Sequence, residues 1–384
     1  MLLLAGPRQS GKTTIAQIWL SELANNSHYF NWDNQDDRTL LLQGPAAIAN
    51  TLHFDQLRTE IPRIVFDEIH KYSHWKTFIK GFYDTYKSHC QILITGSAQL
   101  NIYQRGGDSL MGRYFMYRIH PFSVAECIRT IPSEDLISSP VKLDQNQFDA
   151  LWQFGGFPEP MIKQNQRFYN RWQQLRKQQL FREDIRDLTR IQEIKQLELL
   201  GTILENQAGQ LITYNNLAMK TRVSSDTIRR WINILEEVYF CFRIQPWTQN
   251  ISRSLLKEPK IYMWDWSVVA DPGQRAENFI ASHLLKAVHL WTDMGFGEFG
   301  LYFIRDKEQR EVDFLVTKNN TPWFLVEVKK NDRHLSPALI RFHEKLQTNH
   351  AFQVVLDMEY VDADCFEHTE PLVVPAITFL SQLL

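Results

Sequence analysis

The chain has 384 residues, a formal net charge of −2, 44% hydrophobic and 22% charged residues. This is the balance of a globular protein with room for two or three domains, and it excludes a disordered chain and a globally basic nucleic-acid coat. No apolar run approaches the roughly 18–20 residues that span a bilayer, so no membrane partner is expected. Met1–Gly6 is too short for a signal-peptide core and lacks a basic leader, so the expected location is cytoplasmic. Cys90, Cys127, Cys241 and Cys365 are scattered, without zinc or disulfide-scaffold spacing, and read as ordinary buried thiols.

The first third alternates short apolar runs with amphipathic stretches. Leu2–Leu4 reads as a strand, and Thr13–Leu23 as a helix with Ile15, Ile18, Trp19 and Leu23 on its apolar face. Further strands are predicted at Tyr29–Trp32, Arg63–Phe66, Gln91–Ile94 and Tyr114–Ile119, with a helix around Trp75–Tyr86. Strands alternating with helices predict an α/β fold, a parallel sheet covered on both faces.

Gly6-Pro7-Arg8-Gln9-Ser10-Gly11-Lys12-Thr13 has the pattern G-x-x-x-x-G-K-[ST] between strand and helix, the context a phosphate-binding loop requires. Its backbone N–H groups, with Thr14 closing the set, would cradle the phosphates of ATP at the positive end of the helix. Lys12 would reach the β- and γ-phosphates, and the Thr13 hydroxyl would ligate Mg²⁺. Ile64-Val65-Phe66-Asp67-Glu68 is an apolar strand ending in two carboxylates. Asp67 would hold the Mg²⁺ shell and Glu68 would polarise the attacking water, which favours hydrolysis over kinase-type transfer. After the next strand, Ser97 is the candidate γ-phosphate sensor. Arg113, with Arg105 behind it, is the arginine that an oligomeric ATPase would present to a neighbour's phosphate. A turn serine and a solvated arginine are the plainer readings of Ser97 and Arg113.

This order of motifs resembles the AAA+ ATPases, and most of all a bacterial and archaeal group with an ATPase core, a winged helix and a restriction-endonuclease-like C-terminal domain. The residues that carry it are Gly6–Thr13, Phe66–Ile69, Thr95–Ser97, Gly112-Arg113, His120–Ser123 and Gly155–Glu159, together with C-terminal elements described next. The resemblance implies a homo-oligomer, and four segments: an ATPase core at 1–130, a linker and helical lid at 131–195, a winged helix at 196–250 and a nuclease-like α/β domain at 251–384. In such proteins a segment before the first strand helps hold the base. Here the strand starts at Met1, so a truncated start is the expectation.

Residues 131–147, polar and proline-punctuated, read as a linker, and Phe154–Pro160 as a turn opening a helical region. Leu211–Ala218 and Val223–Trp231 read as helix, turn, helix, with Ser224 or Ser225 as cap and Val238–Ile244 as wing. Arg222, Arg229 and Arg230 would face DNA phosphates; domain packing alone is the equal alternative.

Strands are predicted at Leu301–Ile304, Val312–Val316 and Trp323–Val328. The last two form a hairpin that sets Asp313 near Glu327 and Lys329, which share one strand face. Glu277 on an upstream helix could add a carboxylate. This set resembles the PD-(D/E)xK nucleases. The resemblance implies that Glu277, Asp313 and Glu327 bind Mg²⁺ while Lys329 positions the nucleophile. The rival expectation is a nucleotide-controlled regulator or scaffold whose nuclease-like domain binds a protein or nucleic acid without chemistry.

Overall fold

The computed structural model describes residues 1–23, 26–96, 110–131, 133–185, 191, 193–248 and 258–384. They form two compact units, Met1–His120 and Pro121–Leu384. The division falls before the expected end of the ATPase segment at 130, and the later expected segments share one unit.

The first unit is built on five parallel strands: β1 (Leu2–Ala5), β2 (Ser27–Asn31), β3 (Arg63–Asp67), β4 (Gln91–Gly96) and β5 (Phe115–Arg118), in the order β2-β3-β4-β1-β5. Burial on both faces explains the near-continuous apolar strands. Helix α1 (Lys12–Ser21) sets Ala16 and Leu20 against Leu4, Val65 and Leu93. On the other face lie α2 (Gln35–Leu42), α3 (Pro45–Thr51) and α4 (Trp75–Tyr86), whose Leu41, Ile48, Phe78 and Phe82 pack with Phe66 and Ile94. Because the strands are parallel, the chain leaves β1, β3 and β4 at one sheet edge, and three polar groups meet there.

The second unit begins with α5 (Val124–Ile128), started by a capping box between Ser123 and Glu126. The stretch predicted as a linker is instead pinned to the end of the chain. Ser138 donates its backbone N–H to the Gln382 carbonyl (2.9 Å) and its hydroxyl to the Leu384 carbonyl (2.6 Å). The buried Ser138 satisfies backbone groups of that end, which composition alone does not reveal. Helices α6 (Gln145–Phe154), α7 (Pro158–Lys163) and α8 (Gln166–Gln179) follow. At Gly156 between α6 and α7, an added Cβ would lie 2.5 Å from the Phe122 carbonyl oxygen and 2.6 Å from the Trp266 ring.

Helices α9 (Ile194–Glu205), α10 (Tyr214–Thr221) and α11 (Ser225–Glu237) share a core of Leu197, Leu200, Leu217, Ile228, Trp231 and Leu235. Ser224, not Ser225, caps α11, accepting from the Thr227 N–H at 3.1 Å. The stretch expected as a wing, Val238–Ile244, runs into β6 (Cys241–Pro246), which pairs with β7 (Lys260–Met263) and belongs to a seven-stranded mixed sheet. Its other members are β8 (Phe299–Arg305), β9 (Glu311–Lys318), β10 (Thr321–Lys329), β11 (His350–Val355) and β12 (Leu372–Pro375), in the order β12-β11-β10-β9-β8-β6-β7. On one face, α12 (Pro272–Asp293) and α14 (Ala376–Ser381) bury Phe324, Val326 and Phe352. On the other, α13 (Pro337–Leu346) covers Leu325 and Ala351. Alternation along β10 thus serves two cores. Among the described residues, no helix is long and apolar enough to cross a membrane.

Candidate functional site

The loop leaving β1 is shaped by backbone sterics. Gly6 passes so close to the end of β5 that a Cβ would lie 2.2 Å from the Ile119 carbonyl oxygen. Gln9 and Gly11 take positive φ (62° and 94°), turning successive N–H groups toward the loop interior. Ser10 ties the loop by donating to the Pro7 carbonyl at 2.8 Å. The buried Lys12 ammonium donates to the carbonyls of Gly6 (2.9 Å) and Pro7 (2.6 Å), so its charge lies inside the curl. Thr13 and Thr14 occupy the first turn of α1.

The buried Asp67 at the end of β3 comes to this turn. Its Oδ2 accepts from the Thr13 hydroxyl at 3.2 Å and from the Tyr29 hydroxyl, while Oδ1 accepts from Thr95 at the end of β4. Three other elements therefore converge on the carboxylate of β3. Burial and the adjacent Asp67 raise the Tyr29 phenol well above its ordinary value, so it stays a donor. Glu68 follows in a left-handed conformation (φ 55°), which a non-glycine residue adopts only when its surroundings hold it there. Its carboxylate lies 3.6 Å from Lys71 Nζ and 3.7 Å from His70 Nε2; Lys71 also pairs with Asp33 at 2.6 Å. Burial lowers the His70 pKa.

Arg113 precedes β5, at the sheet edge opposite the loop, and makes a bidentate pair with Asp84 of α4 (2.7 and 3.0 Å). Ser97 and Arg105 lie outside the described residues.

In the second unit, Asp313 of β9 and Glu327 and Lys329 of β10 are brought together. Asp313 Oδ2 accepts from the Val328 N–H at 2.8 Å, and Lys329 Nζ donates to Glu327 Oε1 at 2.7 Å. Glu327 Oε2 is buried without a hydrogen-bond partner. Burial, then the Asp313 charge, raise the pKa of Glu327. Burial works against the charge on Lys329, but Glu327 outweighs it and raises the lysine's pKa.

Glu277, expected beside these as a metal ligand, is otherwise engaged. Its Oε1 accepts from Tyr262 (2.6 Å) and from the buried Lys260 (2.9 Å), both on β7. Lys260 also contacts Glu311 at 2.6 Å and Asp313 at 3.6 Å. Burial and Asp313 together raise the Glu277 pKa despite Lys260. Lys260, Tyr262 and Glu311 were missed by sequence reasoning. The available signal was a single lysine in the apolar run Lys260-Ile261-Tyr262-Met263, and an acid two residues before Asp313.

Against this geometry, the comparisons fall into place by unit. Residues 1–128 match the AAA domain family. The first unit is therefore similar in sequence to an AAA-type P-loop domain. Residues 145–271 and 272–369 match two families each described as a domain of unknown function, DUF8612 and DUF4143. An uncharacterized protein of Methanocaldococcus jannaschii is 24% identical over 82% of this chain and 71% of its own length. Uncharacterized proteins of Mycobacterium bovis and Mycobacterium tuberculosis are each 24% identical over 69% of this chain, which spans 54% of their length. Among solved structures, AMPPCP-bound DnaA from Aquifex aeolicus matches with a TM-score of 0.31 and 13% identity, over 62% of this chain and 81% of that one.

Proposed function

We propose that this AAA+-like protein hydrolyses ATP at the Gly6–Thr14 loop, and that its second unit engages DNA and cuts it at Asp313, Glu327 and Lys329. The observation that carries the first part is the 3.2 Å bond between Thr13 and Asp67, which joins the loop to the carboxylate of β3. Two hard oxygen donors so placed, one on a buried carboxylate, fit Mg²⁺. When bound, Mg²⁺ offsets phosphate charge. Lys12 and the loop N–H groups hold the phosphates, and Glu68, oriented by Lys71, accepts the proton of the attacking water. The test is ATP turnover by the wild type and by Glu68→Gln. Loss of turnover with nucleotide binding retained supports the reading; full turnover in the variant rejects Glu68 as the base.

For the second part, the orphaned oxygen of Glu327 beside Asp313 fits a divalent cation. Such an ion supplies Lewis acidity at a phosphodiester. Lys329 would position the water, and Arg222, Arg229 and Arg230 would hold the DNA backbone. Cleavage of linear, supercoiled and single-stranded DNA with Mg²⁺ or Mn²⁺, with and without ATP, tests it beside a Glu327→Ala/Lys329→Ala control. No cleavage under any condition, with ATP turnover intact, favours the second reading, a nucleotide-controlled regulator or scaffold that binds DNA or a protein without cutting. One observation supports that alternative: Lys260 and Lys329 already neutralise part of the carboxylate charge.

The resemblance also supports a homo-oligomer in which Arg113 exchanges Asp84 for a neighbour's phosphate. A monomer by sedimentation with ATP, together with full activity of Arg113→Ala, rejects this.

A further inference from the structure

A buried ammonium is stable only where oxygens replace its water shell and opposite charge offsets its own. Lys260, 4% exposed, has both: Glu311 Oε1 at 2.6 Å, Glu277 Oε1 at 2.9 Å and Asp313 Oδ1 at 3.6 Å, from three different carboxylates. A hard divalent cation seeks the same oxygen-rich environment. Other donors share these carboxylates. Glu277 Oε1 also accepts from Tyr262, Glu311 Oε2 faces Arg305 at 3.4 Å, and Asp313 Oδ2 accepts from the Val328 N–H. Beside Asp313, Glu327 Oε2 is buried on a side chain that is 9% exposed, and it has no partner.

We propose that the Lys260 ammonium is the fixed second cation of this carboxylate cluster, so that the cluster takes one divalent ion, at Asp313 and Glu327, and no other. Lys260 neutralises Glu277 and Glu311 in place of a metal ion, and its anchorage on β7 holds Asp313 in position. Lys260 is therefore a positioning residue and sets the metal stoichiometry. The proposal rests on the reading of Asp313 and Glu327 as metal ligands.

The test counts Mn²⁺ bound to the 384-residue chain without nucleotide, from the loss of the free-ion electron paramagnetic resonance signal. Glu327→Gln serves as the blank for ions bound elsewhere. The expected result is one Glu327-dependent ion in the wild type, one more in Lys260→Met, and a return to the wild-type count in Lys260→Arg. Two ions at the cluster in the wild type, or no gain in Lys260→Met, overturns the role of Lys260 while leaving the metal reading intact. No Glu327-dependent ion in the wild type overturns the metal reading and the proposal with it. Should Lys260→Met melt in metal-free buffer, millimolar Mn²⁺ should restore its thermal transition, because the ion fills the vacated position. A variant that Mn²⁺ does not restore overturns the proposal.

Discussion

At Gly6 the backbone of the phosphate loop meets the end of β5 with no space for a single carbon, since a Cβ would sit 2.2 Å from a carbonyl oxygen. The obstacle is backbone, which moves only by displacing β5 from β1. Gly6→Ala should therefore cost about 1–3 kcal/mol of stability, the usual penalty for overpacking. It should also weaken nucleotide binding, and thermal melts with and without ATP separate the two effects. Glu68 has a different role. Its left-handed backbone aims the carboxylate at Lys71 and His70 beside the Asp67 site. Glu68→Gln keeps the shape and removes the proposed base, so kcat should fall by about 10²–10⁴ while nucleotide affinity remains. A fall in affinity of the same size would instead mark Glu68 as a binding residue.

Two helices of the second unit carry predictions at the scale of elements. Helix α11 starts on Ser224, whose hydroxyl accepts the Thr227 N–H. Ser224→Ala should lower stability by about 1 kcal/mol, and Ser224→Asp should recover it; equal melts for all three proteins would mean that packing of Trp231 and Leu235 alone sets this end. Helix α12 contains the buried His283, whose Nε2 accepts from the Val124 N–H at 3.1 Å while Nδ1 donates to the Phe279 carbonyl at 2.8 Å. Burial lowers its pKa from 6.5 to about 3. The folded protein thus binds fewer protons than the unfolded chain between these values. The stability from neutral His283 is fully present above pH 6.5 and is lost as the pH falls toward 3. The slope is about 1.4 kcal/mol per pH unit. Denaturant midpoints measured from pH 7 to pH 5 should fall, and His283→Gln should flatten the dependence.

For the whole molecule, the net charge of −2 means that the proposed DNA affinity would have to come from a local cluster rather than the average field. Arg222 follows α10, Arg229 lies 4.7 Å over the Tyr214 ring, and Arg230 is exposed. If these three face phosphates, replacing all three by Ala should reduce the slope of log affinity against log salt by about 3. Fluorescence anisotropy across a salt series measures it. An unchanged slope would leave α11 as a packing element, and absence of binding at low salt would exclude DNA as the partner.

The sequence by itself determined what depends on neighbours in the chain. The phosphate loop, the strand ending in Asp67 and Glu68, helix α4 and the β9–β10 hairpin were legible because their signals are local: a fixed glycine spacing, an apolar run, a helical period. The grouping of Asp313, Glu327 and Lys329 was legible for the same reason, since strand alternation fixes which side chains share a face. Only the tertiary structure decided the rest. Tyr29 and Thr95 reach Asp67 because β2, β3 and β4 lie side by side, an order that the chain does not write out. Residues 131–147 read as a linker from composition, yet Ser138 is tied to Gln382 and Leu384 at the far end of the chain. Lys260 claims Glu277 and Glu311 because β7 joins the sheet beyond β6, where its ammonium is cut off from water. Burial converts an ordinary lysine into a cation that must find carboxylates, and burial is a property of the assembled fold.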